Sequence, residues 1–478
     1  MGFEAVIGLE IHAQLSTKTK IFCGCSTAAG ASANTHVCQV CLGYPGVLPV
    51  LNHAAVDLAA TAALALGCDL HPVSIFARKN YFYPDLPKGY QISQYDRPIA
   101  TGGALVVDSG AGPVRVGITR IHMEEDAGKS VHDAADADRK TSLDFNRSGV
   151  PLIEIVSEPD LRTAADAAAY FEALRTLLTW IGVNDGNMEE GSLRCDANVS
   201  VRPRGTEAFG TKVEVKNLNS FRFLQKAIEF EVDRQVDVIE SGGRVVQETR
   251  LFDSDTGVTV SMRSKEDAHD YRYFPDPDLP PVVLAPERLA RIRSAMPELP
   301  DARRARFVSA YGLPAYDAAQ LTHQKALADL FEATVAAGAA PKPVSNWLMG
   351  EWTRLLKDRE LTVEASPVQA AALAGLLALI DAGTINTATA KGVLEQMFAT
   401  GRSAAAIVEA EGLAQIDDDA QVEGFIAAVL AEHADAVASY RAGKAASFGF
   451  LVGQVMKRAA GKANPTRVTA LLTRALTP

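Results

Sequence analysis

The chain has 478 residues, 47% hydrophobic and 22% charged, with 47 Lys and Arg against 58 Asp and Glu for a formal net charge of −11. That length suits about two to four domains of roughly 150 residues each, and the composition excludes global disorder. The acidic balance excludes a general DNA- or membrane-coating protein. Met1-Gly2-Phe3-Glu4 lacks a basic n-region and an apolar core, and Val6 stands where myristoylation needs Ser or Thr, so neither a secretory signal nor a lipid anchor is expected. The stretch Ala54–Gly67 is apolar but carries Asp57 and is too short to span a bilayer. A cytoplasmic protein is expected.

The first 270 or so residues alternate in short segments broken by Gly, Pro and Asp, as a large antiparallel sheet requires. The expected strands are Glu4–His12, Val114–Met123, Pro151–Val156, Leu193–Val201 and Lys212–Val215. Helices interrupt them at Asn52–Leu66, at Ala164–Trp180 with Thr163 as its cap, and at Phe221–Ile239. Early in this region lie Cys23-x-Cys25 and Cys38-x-x-Cys41. Four cysteines so close in a cytoplasmic chain point to a closed tetrahedral zinc site, with Gly24 and Gly43 allowing the turns; unligated thiols are the alternative. Cys68 and Cys195 stand alone and suit core positions.

A proline belt from Pro275 to Pro300 marks the clearest boundary. Beyond it helical periodicity predicts Glu287–Met296, Asp301–Tyr311, Lys325–Ala336, Val344–Leu356, Pro367–Ala382, Thr387–Phe398 and Ser403–Glu411. A final small helical unit starts near Asp417. Its charge is lopsided: residues 401–440 hold eight acids and one base, whereas 441–478 hold seven bases and no acid. The fold class expected is α+β: a sheet domain over 1–292 with a zinc knuckle at 23–41, a helical domain over 293–410, and a helical tail over 411–478.

Alternation places Gly8, Glu10 and His12 on one face of the first strand, opposite Ile7, Leu9 and Ile11. Glu124, Glu125 and Asp126 end another strand, and like charges this close need a cation or protons. Glu154 lies in the apolar run Leu152–Val156, where an unpaired charge costs several kcal/mol on a rough scale. Arg194, Asp196 and Asn198 share a face, and Glu214 sits between Val213 and Val215. Carboxylates with a histidine suit a hard divalent ion, Mg²⁺ or Mn²⁺, carrying phosphate oxygens; ion pairs with nearby arginines are the alternative for each. Ala127-Gly128-Lys129-Ser130 imitates a Walker A end, but Met123 stands where the earlier glycine belongs and the acids would repel phosphate. Two basic-aromatic stretches, Arg78–Pro84 and Asp270–Pro275, suit base stacking or phosphate contact, or else a sheet rim with half-buried tyrosines. No nucleophile elbow or HExxH motif is present.

Several motifs together resemble the B-subunit family of the aspartyl/glutamyl-tRNA(Asn/Gln) amidotransferases. They are Val6–His12, Arg78–Asp85, His122–Ser130, Pro151–Asp160, Met188–Asn198, Lys216–Ser220, Asp270–Pro275, Gly449–Lys457 and Ala463–Pro465, so the resemblance covers essentially the whole chain. It implies a cradle-like sheet domain, a helical middle and a helical tail that meets tRNA. It also implies ATP- and Mg²⁺-dependent phosphorylation of the side-chain carboxylate of Glu-tRNA(Gln) or Asp-tRNA(Asn). Ammonia then displaces the phosphate; a glutaminase A subunit frees it, and a small C subunit braces the pair. On the family pattern His12, Glu125 and Glu154 fall on Mg²⁺ ligands, while Glu10, Asp196 and Glu214 form a second divalent position. The catalytic candidates are Glu10, His12, Lys79, Glu125 and Asp196. Many members lack the four cysteines; keeping them here implies structural Zn²⁺. His132–Lys140 is longer and more acidic than the pattern and is expected to be a loop without catalytic weight. The tail candidates for tRNA phosphates are Lys444, Lys457, Arg458 and Lys462, flanking Phe448, Phe450, Leu451 and Val455 as core. Two other readings are a non-enzymatic RNA-binding scaffold, and a carboxylate–amine ligase for a small metabolite.

Overall fold

The computed structural model describes residues 2–132, 141–264, 271–416, 418–459 and 462–477. Most of the expected loop His132–Lys140 lies outside them, as do Asp270 and Asp417. The chain divides into two compact units, Met1–Leu299 and Pro300–Pro478. The first holds a large sheet and the second is helical, as the α+β expectation requires. No described helix is long and apolar enough to cross a membrane.

In the first unit the main elements are strand β1 (Phe3–Gln14), helix α1 (His53–Ala65), β2 (Ala77–Asn80), β3 (Tyr90–Ser93), β4 (Pro113–Glu125) and β5 (Pro151–Ser157). They are followed by α2 (Ala164–Trp180), β6 (Leu193–Pro203), β7 (Val213–Lys216), α3 (Phe221–Glu240), β8 (Glu248–Asp253) and β9 (Val258–Ser264). The ten-stranded sheet runs β9-β8-β7-β6-β1-β5-β4, then the short strands Ala100–Thr101 and Asp69–Leu70, with Ala104–Asp108 also on β4. Every pairing is antiparallel except β7 with β8.

Period-two patterning decides which face is dry. Ile11 stands opposite Ile155 and Cys195, and Ile155 opposite Ile121, so one apolar row crosses four strands. That face packs with residues of the three helices, among them Ala59, Phe171, Leu174 and Leu224, all fully buried. Each fully buried Leu, Ile or Phe contributes roughly 1.5–3 kcal/mol, so a one-residue slip of β1 would be prohibitive. The expected cap of α2 is present: Thr163 Oγ1 accepts from the Asp166 amide at 3.0 Å. Cys68 and Cys195 are core residues, as expected.

The first unit extends past the boundary expected at 292. Trp180 Nε1 donates to the Glu298 carbonyl at 2.9 Å, and Arg288 on the helix Pro286–Ala295 bonds Asp57 of α1 at 2.6 Å. In the second unit the helix expected over Val344–Leu356 is broken. Pro341–Trp347 and Thr353–Asp358 are joined by a π-helical turn at Leu348–Trp352, where Gly350 leaves helical geometry at φ −103°, ψ −105°. Glycine lacks the Cβ that would resist this. Residues 422–476 share a core of their own, with Val422, Ile426, Leu451, Val455, Val468 and Leu472 buried. Phe448 is partly buried against that core, but Phe450, also expected there, is 47% exposed. Positions 448, 451 and 455 follow one helical stripe, and 450 falls off it.

Candidate functional site

The polar face of the sheet carries a row that the register creates. His12 stands opposite Arg194 on β6 and Glu154 on β5, and Glu154 stands opposite His122 on β4. His12 Nε2 and His122 Nε2 both lie 3.3 Å from Glu154 Oε2, and His122 Nε2 lies 3.2 Å from Glu124 Oε1. Glu124 also accepts from Ser93 Oγ at 2.6 Å and Gln91 Nε2 at 3.0 Å, both from β3. Ligand atoms of His12, Glu124 and Glu154 lie within 4.8 Å of one another. Two carboxylates and an imidazole around one point suit a hard divalent cation.

Charge keeps this buried group ionised. Burial opposes the charge of Glu154, but His122 and His12 beside it hold its carboxyl well below the usual range. Against the same burial, Lys79 and His122 hold Glu124 down to about 2. Burial likewise disfavours the imidazoliums, yet Glu154 raises His12, and Glu154 with Glu124 pushes His122 up to about 9. Lys79 stays charged in a half-buried place because Glu124 and Glu154 outweigh its desolvation. Without a metal, protons and Lys79 neutralise the carboxylates. A cation would have to displace the proton of His12, because imidazole ligates only when neutral.

Glu125, expected as the third ligand, is not in this group. Adjacent residues of a strand face opposite ways, so Glu124 meets His12 and Glu154 while Glu125 turns to the other side. There it accepts from the Ile92 amide at 2.8 Å and pairs with Lys88. Its carboxylate lines a cavity of about 190 Å³ with Lys20, Lys88, Cys23 and Cys41. The third acid, Asp126, accepts from Gln14 at 2.8 Å and from Arg194 at 2.9 Å. The run of three acids thus serves three different places.

Glu10, Asp196 and Glu214, expected as a second divalent position, do share the polar face. Glu10 stands opposite Asp196, and Glu214 opposite Asn198. A cation already sits among them: Lys216 Nζ bonds Asp196 Oδ2 at 2.5 Å and Glu214 Oε1 at 2.9 Å. Glu10 accepts from Asn198 at 2.9 Å, and burial, then Glu154, raise its carboxyl above the ordinary value. These three do not form one of the compact ligand groups found among the described residues. Beside Glu10 a cavity of about 260 Å³ opens over Gly8, Ser157, Asn198, Phe209 and Lys212.

The two basic-aromatic stretches meet although roughly 190 positions separate them. The Asn80 side chain donates to the carbonyls of Tyr271 at 3.2 Å and Arg272 at 2.9 Å. Lys79 Nζ lies 5.1 Å from the centre of the Tyr271 ring, and Tyr81 donates to Gln91, the same residue that holds Glu124. The cysteines converge as well: ligand atoms of Cys23, Cys25, Cys38 and Cys41 lie within 4.8 Å of one another. The Cys38 amide donates to Cys41 Sγ at 3.1 Å, and Lys20 Nζ, fully buried, reaches the same sulfur at 3.6 Å. A hydrogen bond from Cys23, with Lys20 adding to it, pulls the Cys41 thiol down to about 4. Gly43, at φ +68°, completes the turn where a Cβ would meet the Lys88 side chain at 2.5 Å. Four sulfurs, amide donors and a buried ammonium fit a tetrathiolate zinc site.

In the tail Lys444 and Lys457 are exposed. Arg458, grouped with them in the sequence, bonds Glu432 at 2.7 Å, and Arg467 bonds Asp419 at 2.6 Å. Arg474 pairs with Glu423. The acidic stretch and the basic tail therefore neutralise each other in part. Sequence reasoning had Glu124 in the acid run but outside the ligand set, and did not single out His122 or Lys216. Alternation from His122 to Glu124 was the available signal; for Lys216 there was none beyond its place two residues after Glu214.

Comparison with known proteins bears on the whole chain. Residues 5–290 match the family model of the GatB/GatE catalytic domain, and residues 329–476 that of the GatB domain. A protein of Geotalea daltonii is 55% identical over 477 residues, covering 100% of both chains. One of Myxococcus xanthus is 56% identical over 474 residues, covering 99% of this chain and 98% of its own. One of Moorella thermoacetica is 55% identical over 472 residues, covering 99% of each. All three are named as the B subunit of an aspartyl/glutamyl-tRNA(Asn/Gln) amidotransferase. With its row of histidines and carboxylates on a matching catalytic domain and full-length identity above one half, the chain belongs to this family of amidotransferase B subunits.

Proposed function

We propose that this protein is the component of a cytoplasmic tRNA-dependent amidotransferase that activates the side-chain carboxylate of Glu-tRNA(Gln), Asp-tRNA(Asn) or both with ATP. The γ-phosphoryl group moves to a carboxylate oxygen, and ammonia then displaces that oxygen as phosphate, forming the amide. Oxide is too poor a leaving group for direct amidation, which is why the phosphoryl group is needed. The observation that carries the reading is the buried group of His12, Glu124 and Glu154 under Lys79. These three residues would hold Mg²⁺, which supplies charge neutralisation for a transferring phosphoryl group. Lys79 adds a fixed positive charge on the same side. Gln91, Ser93 and His122 hold Glu124 and Glu154 in place, so the ligands are positioned before substrate arrives. The cavity beside Glu10, with Phe209 and Lys212 at its rim, has the chemistry for the base and phosphates of ATP. Glu10 and Asp196 would border that nucleotide, with Lys216 standing in for a second divalent ion among Glu10, Asp196 and Glu214.

Ammonia comes from a glutaminase A subunit, since no hydrolase nucleophile motif occurs in this chain, and a small C subunit completes the heterotrimer. The four cysteines hold structural Zn²⁺, its negative thiolates balanced by Lys20. Lys444, Lys457 and Lys462, with Arg458 if it leaves Glu432, meet tRNA phosphates; neither DNA nor a membrane is a partner. The test is transamidation of Glu-tRNA(Gln) and Asp-tRNA(Asn) side by side, with the three subunits, ATP and glutamine. Amide product on either tRNA is expected. Binding of both tRNAs without ATP turnover or amide would reject the enzyme and leave an RNA-binding scaffold.

A further inference from the structure

The aromatic stretch Tyr81-Phe82-Tyr83 has features that neither the metal ligands nor the nucleotide cavity use. Tyr81 is tied inward through Gln91 to Glu124. The next two side chains turn out: Phe82 is 86% exposed and Tyr83 54%. Nearby, Tyr95 is 51% exposed and stacked on Tyr273, with ring centres 4.1 Å apart and planes 6° from parallel. Tyr273 in turn borders the charges of Lys79, Glu124 and Glu154. Ring contacts run from Tyr81, tied to Glu124 through Gln91, to Tyr271, Tyr273 and the half-exposed Tyr95, while Phe82 and Tyr83 follow Tyr81 in the chain and face solvent. Leaving a phenylalanine this exposed has a hydration cost that a stacking partner would remove.

We infer that these rings, with the exposed Phe82 and Tyr83 next to Tyr81 as the platform, stack the unpaired 3′-terminal bases of the aminoacyl-tRNA. The inference rests on the proposed function and deepens it by naming where the RNA end lies. The reacting carboxylate hangs from the terminal ribose through one ester bond and a short side chain. When that carboxylate is at His12, Glu124 and Glu154, the terminal base must lie within about one nucleotide of them. Single-stranded RNA ends are bound by stacking on aromatic rings beside cations, and Lys79 supplies the cation here. The cavity beside Glu10 lies along β1 toward Gly8, whereas Tyr81 lies on the side of β2 and β3, where it bonds Gln91, and Gln91 and Ser93 bond Glu124 of β4. The two ligands thus reach the carboxylates from different sides.

The test uses the heterotrimer with F82A/Y83A and F82W variants, and tRNA(Gln) whose terminal adenosine is replaced by 2-aminopurine riboside. On wild-type protein the fluorescence of that base is quenched by stacking; with F82A/Y83A the tRNA still binds but the quenching disappears, and F82W restores it. In transamidation the KM for Glu-tRNA(Gln) rises about tenfold in F82A/Y83A, the order expected for removing one base–aromatic stack, and the KM for ATP is unchanged. Undiminished quenching in F82A/Y83A, or a rise in the ATP KM alone, overturns the inference. The quenching needs no turnover, so a failure of amidation in the wild type would reject the proposed function without deciding this point.

Discussion

Charges on the polar face of the sheet and charges in the helical unit are arranged on different principles. On the sheet, Glu124 and Glu154 are buried, share two histidines and a lysine, and gain nothing in stability that an apolar row would not give. In the helical unit, Arg303 and Arg306 grip Glu332, Arg354 grips Glu351 and Asp358, and Arg467 bonds Asp419, all but the buried Arg303 at partly or fully exposed positions. Such pairs are worth about 0–1 kcal/mol each and decorate a fold that apolar packing already makes. The difference teaches which carboxylates to suspect of chemistry. An ionised group kept buried among competing cations has a cost that function explains.

The sharpest way to break this contrast is to compare neighbouring acids of β4. Glu124→Gln should reduce amidation by about a thousandfold, the equivalent of several kcal/mol of metal-borne stabilisation, and abolish Mn²⁺ binding measured by electron paramagnetic resonance. Glu125→Gln should keep Mn²⁺ binding and instead lower stability by about 1–3 kcal/mol in urea unfolding, because Lys88 loses its partner. The reverse pattern would restore Glu125 to the metal.

A second comparison concerns the cysteines, where buried charge is structural. Cys38→Ser, or zinc removal by a chelator, should lower the melting temperature by roughly 5–10 °C on a scale of about 2–4 °C per kcal/mol. Metal analysis should find one equivalent of Zn²⁺ in the wild type and much less in the variant. A zinc-free wild type of equal stability would reject the site.

In the tail the contrast is between exposed lysines and paired arginines. Lys444→Ala with Lys457→Ala should weaken tRNA binding and lower its log–log salt slope by about 0.7–0.9 for each phosphate no longer neutralised. Arg467→Ala should leave that slope unchanged, since its charge already faces Asp419. An unaltered slope in the lysine variant would move the RNA surface elsewhere.

The smallest effect is a titration in the helical unit. Arg306, with Tyr311 and Arg303, holds the Glu332 carboxyl down to about 2 despite burial. A depressed folded-state value gives stability that is present above the unfolded value near ~4.3 and lost as pH falls through about 2. Glu332→Gln should therefore be slightly less stable than wild type at pH 7, with the gap closing between about pH 4 and pH 2. A gap that persists at pH 2 would mean that packing, not charge, is responsible.

Much of the fold was legible because local rules suffice. Ile7, Leu9 and Ile11 against Gly8, Glu10 and His12 showed both the strand and its dry face, and Thr163 marked the start of α2 to the residue. The cysteine spacing identified a four-sulfur group that does converge. The helix break at Gly350 was not legible, since one glycine is compatible with an unbroken helix and only packing decides. The exposure of Phe450 was legible, since helical spacing puts 448, 451 and 455 on one stripe and 450 off it, but apolar composition outweighed that spacing in the expectation.

By itself the sequence determined the strand faces, the helical second half, the zinc-type cysteine cluster and the family motifs, all of which depend on spacing along the chain. The tertiary structure alone brought Glu124 to His12 and Glu154: alternation puts Glu124 on the face of His122, but only the register of β4 against β5 sets His122 opposite Glu154. It also decided that Lys216 stands among the second group of carboxylates and that Arg458 faces Glu432. Those are pairings of residues far apart in sequence, set by packing on which periodicity is silent.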